Sequence, residues 1–377
     1  MSDLPFRIVH LTVYGKLPSG IRNQIKWEQA ASKHLVGVAW SSLAVHEGAP
    51  VETFERRIPS VFRLILLRNL YGWFIAFRLA RTCDVLLLRH MVSDPFVLIC
   101  APLIRNRISV HHSREWEELP LIRPGAIGRL AGLIEQFTGL VSVRCAIGVL
   151  GVTTEISRFQ VAHRAPSKPA GLYANGIYLD AVQVVDDDRK ANDLNIVFMS
   201  NTFSEWHGLD RLVDAVRDSL ARPENLTFHI IGHLSNLQKS QIVELGSRSA
   251  LFRLHGFLDA SAYRHLLALA DVGLGSFAMD RQNLREGATL KVREMLGIGL
   301  PVYSGHVDTA IPSDFLFYQS VSEINLSDLS SFARSMKQFS RLHVRTASAP
   351  FIDKVSTMQV AADWLRHLMR SRNDTLA

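Results

Sequence analysis

The chain is poor in cysteine and pairs none of it by spacing. Cys83, Cys100 and Cys145 are scattered through 377 residues with no C-x-x-C among them. That argues against a disulfide framework and a cysteine zinc site, and fits a reducing compartment. There is no G-x-x-x-x-G-K-[ST], and no G-x-G-x-x-G follows a strand-like run, which weakens P-loop and dinucleotide readings. No H-E-x-x-H or D-x-D-like pair stands out, and Asp186–Asp188 reads as a solvated charge run, so no metal is expected. No uninterrupted apolar run reaches the ~20 residues that span a bilayer. Met1-Ser-Asp-Leu-Pro-Phe-Arg7 leads straight into a strand-like segment, so no signal peptide is expected. Internal repeats and low-complexity tracts are missing too.

What remains is the composition of an ordinary globular protein, 47% hydrophobic and 20% charged, long enough for two cores. The net charge of +7 is unevenly spread. Residues 1–175 hold 21 Lys+Arg against 12 Asp+Glu, and the remainder 21 against 23. The basic half calls for an anionic partner. Charge is densest in residues 56–81, which carry six arginines, no acid and a dense set of aliphatic and aromatic residues. Such a segment fits a helix lying on an anionic membrane surface. The plainer reading is a core helix with snorkelling arginines.

Strand-like and helix-like runs alternate. In the first half the strand-like runs are 6–12, 36–43, 84–90, 108–113, 146–151 and 171–175, with helical patterning over 20–35 and 124–137. In the second half they are 195–200, 226–232, 251–256, 272–277 and 301–304, with helical runs at 209–220, 235–246, 260–270 and 290–296. A last helix covers roughly 355–370. This alternation predicts an α/β protein built on parallel sheets with helices on both faces. A polar run near 176–194 reads as a linker or surface loop between two arrays.

Ligands of open α/β sheets sit outside the carboxyl ends of the strands. Four successive strand–helix turns in the second half therefore converge on one edge: Asn201–Leu212, His233, Gly256-Phe-Leu-Asp259, and Glu286-Gly-Ala-Thr-Leu-Lys291-Val-Arg293-Glu294. The last carries two carboxylates eight apart and ends in Gly297-Ile-Gly-Leu-Pro301-Val302.

In this order the segments resemble glycosyltransferase family 4, retaining nucleotide-sugar enzymes of the GT-B fold. Glu286…Glu294 with the following small-residue turn and Pro-Val strand is similar to that family's E-x7-E. Trp206-His207-Gly208-Leu-Asp-Arg-Leu is similar to its K-G-x-x-x-L turn, and Leu254-His255-Gly256-Phe-Leu…Ala270-Asp271-Val272 to its F-x-G…A-D-V stretch. In the first half, Leu17-Pro-Ser-Gly20 resembles the family's glycine loop after the first strand, and Val110-His111-His112-Ser-Arg-Glu115 its histidine segment in polysaccharide-assembly members. Gly151-Val-Thr-Thr-Glu155 and Tyr173-Ala-Asn175-Gly-Ile177 also match.

The resemblance implies two Rossmann-like domains facing a cleft: residues 1–177 for the acceptor, 178–350 for the donor, and 351–377 as a helix returning to the first domain. It implies a metal-independent, retaining hexosyltransferase with no cofactor beyond a UDP- or GDP-sugar co-substrate. Glu294 would hold the ribose. Backbone N–H groups of Gly287, Ala288, Thr289 and Leu290, at a helix N-terminus, would receive the diphosphate, with Lys291 as a cation. Glu286 and His112 would attend the donor sugar. Gly256 and Phe257 would border the base, and Asn201, His207 and Gly20 would complete the donor site. The family's Arg and Lys beside the diphosphate are missing, since those places read near Asn201 and His207; Lys291, Arg285 and Arg293 are the candidates to replace them. The acceptor implied is a saccharide or lipid-linked saccharide, the place the cytoplasmic face of a membrane, and nucleic acid is not expected.

Plainer readings stand beside these. Glu294 pairs with Arg293 or Lys291 on a solvated face; Glu286 is an ordinary loop acid; one of His111 and His112, which point to opposite faces of a strand, is a satisfied core histidine; Trp206 packs instead of stacking on a base. Two other functions fit the same architecture: a nucleotide-sugar epimerase and a non-enzymatic carbohydrate-binding protein.

Overall fold

The computed structural model describes residues 5–219 and 226–376. The chain divides into two compact units, Met1–Tyr178 with Asp353–Ala377, and Leu179–Ile352.

The first unit holds β1 (Phe6–Val13), β2 (Val38–His46), β3 (Glu55–Arg57), β4 (Val85–Arg89), β5 (Arg107–His111), β6 (Gly148–Gly151) and β7 (Ala170–Leu172). They form one parallel sheet in the order β3-β2-β1-β4-β5-β6-β7. The four strand residues Val85–Leu88 are buried, as expected for a parallel sheet covered on both faces. Helix Ser19–Ala31 and the C-terminal helix Lys354–Leu376 pack together on one side. There Met358, Ala361, Ala362 and Leu365 join Ile8, Val85, Val110 and Leu150 in a single apolar cluster. Chain order reverses between β1 and β4, which creates a switch point at their carboxyl ends.

The second unit holds β8 (Leu194–Thr202), β9 (Leu226–His233), β10 (Phe252–Gly256), β11 (Val272–Leu274), β12 (Val302–Ser304) and β13 (Tyr318–Ser320). This sheet is also parallel, in the order β10-β9-β8-β11-β12-β13. Its switch point lies between β8 and β11. Each unit is thus a Rossmann-like α/β body of the expected class.

Two local expectations are corrected, and for the polar run one of its two readings, linker or surface loop, is selected. Gly20 lies in the first turn of helix Ser19–Ala31, not in a loop. Gly15 is the glycine of that loop, packed against the Arg68 guanidinium, which bonds Glu47 at 3.1 Å. The polar run 186–190 is no free linker. Arg189 bonds Asp187 and the carbonyls of Met336 and Phe339 (2.6, 3.1 and 2.7 Å), and Asp188 N–H bonds Ala268, so the run is a surface loop fixed on the second unit. The helix read as 124–137 runs over Ala126–Cys145, because Thr138, Gly139 and Ser142 face a buried polar network that tolerates them.

Within 56–81, helix Ile65–Ala80 buries Tyr71, Trp73, Ile75 and Ala76 while exposing Phe74, Arg78 and, before it, Leu64 and Arg63. One face belongs to the core and the other meets solvent. Beside it lies an apolar groove of about 560 Å³ lined by Phe62, Tyr71, Phe74, Phe77 and Leu103 among others. No helix among the described residues is long and apolar enough to cross a membrane.

Candidate functional site

The carboxyl ends of β8, β9 and β10, together with helix Leu290–Gly297, enclose a cavity of about 320 Å³ in the second unit. Its lining includes Asn201, His207, Phe257, Thr289, Leu290, Lys291 and Glu294. Four segments far apart in sequence therefore meet in one place. Gly232 forms part of the floor, with φ +135; a Cβ there would lie 1.7 Å from the Ser200 carbonyl oxygen, so only glycine fits.

Lys291 dominates the electrostatics. Its Nζ is buried and has no hydrogen-bond or ion-pair partner among the described residues. The rings of Phe198 and Trp206 stand at 5.2 and 6.0 Å from it. Burial pushes its pKa down to about 7. An amine in such a place is stable when an anion joins it. Thr289 Oγ1, at the start of the same helix, is a second buried polar atom with no partner among the described residues. The N–H groups of the helix's first turn lack intrahelical acceptors and carry its positive dipole end. Cation, hydroxyl and helix terminus together suit a phosphate-bearing ligand.

Glu294 lies in the middle of the helix Leu290–Gly297. Burial raises its carboxyl pKa. It makes no ion pair with Arg293 or Lys291 among the described residues, and its side chain is left to face the cavity. Tyr263, from helix Ala260–Leu269, stands near it and was not anticipated. The signal for it was its place four residues after Asp259, which caps that helix by accepting from Ala262 N–H at 2.9 Å.

His207 cannot stand in for the missing lysine. Ser204 N–H donates to its Nδ1 (2.9 Å), which leaves Nε2–H to donate to Ser200 Oγ (3.1 Å). Burial and the neighbouring Lys291 push its pKa down to about 3, so it is neutral. Trp206 stacks on it at 3.8 Å. Arg293 is no candidate either: it is fully buried and paired with Asp308 through both terminal nitrogens, Nη2–Oδ1 at 2.9 Å. Arg285 is exposed.

Not every expected residue reaches this cavity. The Gly287 N–H donates to Val307 O (2.9 Å), so it is not open to a phosphate. Ala288 is buried. Glu286 forms a strand-like bridge with Val307 and accepts from Thr309 Oγ1 at 3.3 Å; it is not among the lining residues. Phe257, 57% exposed, lines the cavity mouth and stacks on His233 at 5.3 Å. Gly256, with φ +69, ends β10 beside it.

His112 and Gly20 belong to the first unit. The adjacent histidines there divide cleanly. His111 is fully buried, bonds Glu115 (2.7 Å) and Ser109 (2.9 Å), and stacks on His90. His112 follows β5 with its Nδ1 buried and unpartnered, and burial holds its pKa well below the usual value.

No family model matches the chain, and no curated protein matches it in sequence. Solved structures match along nearly its whole length. A lipopolysaccharide outer core galactosyltransferase, WaaB, is similar over 97% of this chain and 100% of its own at 13% identity, TM-score 0.61. Sucrose-phosphate synthase from Thermosynechococcus elongatus gives the same coverage at 12% identity, TM-score 0.61. HepE from Anabaena, solved in complex with UDP, covers 96% and 100% at 15% identity, TM-score 0.58. At such identities the likeness shows the fold: the chain has the GT-B fold of glycosyltransferases.

Proposed function

We propose that this protein is a glycosyltransferase that moves a sugar from a UDP- or GDP-sugar to a saccharide acceptor, lipid-linked, in polysaccharide assembly. The observation that carries the reading is the buried, unpartnered Lys291 ammonium in a cavity that also holds Glu294 and a helix N-terminus. A nucleoside diphosphate supplies what each lacks. Its phosphates take the charge of Lys291 and the first-turn N–H groups; its ribose diol donates to Glu294; its base meets Phe257 and His233. HepE, of the same fold, binds UDP, which agrees with this assignment. Lys291 then fills the place of the family's missing basic pair and stabilises the departing diphosphate, the usual largest source of acceleration in such transfer. Glu286 and His112 are assigned to the sugar, and the transfer is taken to proceed with retention and without metal.

The test is calorimetric binding of UDP, GDP and ADP. One of them binds the wild-type protein, and Glu294→Ala weakens it about 10- to 100-fold, the worth of hydrogen bonds to a charged group. If none binds the wild type, the assignment is lost.

The acceptor is placed at an anionic membrane surface on the cytoplasmic side. The support is the apolar groove beside exposed Leu64, Phe74 and Leu103, flanked by exposed Arg63, Arg78 and Arg81. Each arginine near an anionic surface contributes about 1 kcal/mol. Changing Arg56, Arg57, Arg63, Arg78 and Arg81 to Gln is expected to reduce binding to phosphatidylglycerol vesicles more than tenfold in a sedimentation assay. Unchanged binding sinks the membrane reading.

A further inference from the structure

Helix Ala126–Cys145 in the first unit has its polarity reversed. Beside Val143 it buries Gly132, Glu135, Thr138, Gly139 and Ser142. It exposes Ile127, Leu130, Leu133, Ile134 and Phe137, each between 42% and 76% accessible. A surface helix ordinarily turns its apolar stripe to the core and its polar residues to water. Here the orientation is pinned from inside. Glu135 is fully buried and accepts from Arg164 Nη2 (2.7 Å), His90 Nε2 (2.8 Å) and the Ser93 N–H (2.6 Å). The Ser142 carbonyl accepts from Arg107 Nη2 at 2.6 Å. Gly139 lies against the Arg164 guanidinium, where the helix has no room for a side chain. Rotating the helix to bury its leucines would strip Glu135, Arg164 and Arg107 of their partners, and buried charges without partners are strongly destabilising.

The exposed stripe continues sideways. The helix touches the turn 97–103, which adds exposed Ile99 and Leu103. That turn shares the apolar groove with Phe74 and Phe77 of helix Ile65–Ala80, and all three elements pack on the same face of the sheet. A contiguous apolar surface of this kind marks an interaction site. Charge indicates the partner. Arg63, Arg78, Arg105, Arg123 and Arg129 are exposed on these same segments. The acids there are withdrawn. Between residues 56 and 114 they are Asp84, which takes the Arg7 N–H (2.7 Å), and Asp94, which takes Trp73 Nε1 (2.5 Å) inside the core. Between residues 119 and 154 Glu135 is the only one. On the neighbouring helix Glu115–Ile122, Glu117 is bonded to Arg114 at 3.3 Å. A second copy of the chain would bring arginines against arginines. An anionic bilayer matches both the apolar stripe and the charge around it.

We propose that helix Ala126–Cys145 inserts its exposed apolar face into the acyl boundary of an anionic bilayer, with the surrounding arginines held at the headgroups. This deepens the membrane reading given above and rests on it. That reading places the contact on helix Ile65–Ala80 and its arginines. The reversed helix supplies a second element and a different force, burial of apolar side chains. The two forces separate in salt. A contact held by charge fades at about 1 M salt, where the Debye length is about 3 Å. Apolar insertion persists there, because ions do not screen it.

The experiment sediments full-length protein with vesicles of phosphatidylglycerol and phosphatidylcholine, at low salt and at about 1 M sodium chloride. The wild type is expected to bind in both. The double variant Leu133→Ser, Phe137→Ser is expected to lose roughly tenfold or more in vesicle affinity in both, through the apolar area it no longer buries. The arginine-to-glutamine variant described above loses affinity chiefly at low salt. Both serines replace exposed side chains, so the thermal midpoint of the double variant stays at the wild-type value. A double variant that binds as tightly as the wild type overturns the proposal and leaves the membrane reading to the arginines. Wild-type binding that vanishes at high salt also overturns it, and that arm needs no variant. So does a lowered midpoint, which would make Leu133 and Phe137 structural. A wild type that binds no vesicles sinks the proposal together with the membrane reading. Sedimentation equilibrium without lipid completes the test: a dimer that the double variant dissociates would give this face to a second copy and overturn the proposal.

Discussion

Two faces of one eight-residue helix, Leu290–Gly297, carry buried cations with opposite surroundings. On one face Arg293 is fully buried against Asp308, a bidentate pair inside the core. On the other, Lys291 reaches into the cavity and meets no anion among the described residues. The first unit repeats the contrast. Arg164 pairs with Glu135 at 2.7 Å, while Arg89 has no ion pair among the described residues; His111 is bonded at both nitrogens, while His112 Nδ1 has no partner among the described residues. Burial alone does not separate scaffold from site. Pairing of the charge does so here: Arg293 and Arg164 have carboxylates built into the chain, and Lys291 has none among the described residues.

The largest effect should come from the paired face. Asp308→Ala leaves Arg293 buried without its anion and is expected to cost about 3–5 kcal/mol of unfolding free energy, read as a lower urea midpoint. Lys291→Met, two residues away, should do the reverse. It removes an unpaired charge, keeps the apolar stem and is expected to hold or raise the midpoint, while UDP affinity falls about 10- to 100-fold through loss of a charge-assisted contact. Comparable destabilisation by both variants would break the contrast.

How far this contrast was legible in the sequence depends on range. The alternating runs gave the parallel sheets and most strands to within a few residues, because near-continuous apolar stretches bounded by turns have few other readings. The edge strands β3 and β13 escaped: three residues such as Glu55-Arg56-Arg57 show no period, and Glu55 is buried only because Arg22 and His46 reach it from elsewhere. Order and spacing brought out Glu294, Lys291, Asn201, His207 and Phe257, which share the cavity. They did not show that Arg293 is taken by Asp308 or that Gly287 N–H is taken by Val307, since both partners lie on a later turn. Arg89 drew no notice. Its surroundings include Tyr14, His112 and Lys354, which only the folded sheet edge assembles.

The subtlest test is the pH dependence of Lys291. Burial lowers its folded pKa to about 7 from the ordinary lysine value of 10.5. Below pH 7 the amine is charged in both folded and unfolded states, and the full cost of burying it is present. Between about 7 and the unfolded value the unfolded chain binds the extra proton, so this group makes stability rise with pH. The advantage of Lys291→Met over wild type should therefore be greatest below pH 7 and shrink as pH climbs towards 10. Burial lowers the Arg293 pKa as well, to about 10, so its own slope begins well above the pH at which Lys291 starts to respond. A bound diphosphate reverses the balance by holding the amine charged, so UDP binding near pH 8 should draw a proton from solution. Titrations in two buffers of different ionisation enthalpy would detect that uptake in the wild type and find it missing in Lys291→Met. Equal uptake by both proteins would mean that the proton goes to another group, and that Lys291 does not face the phosphates.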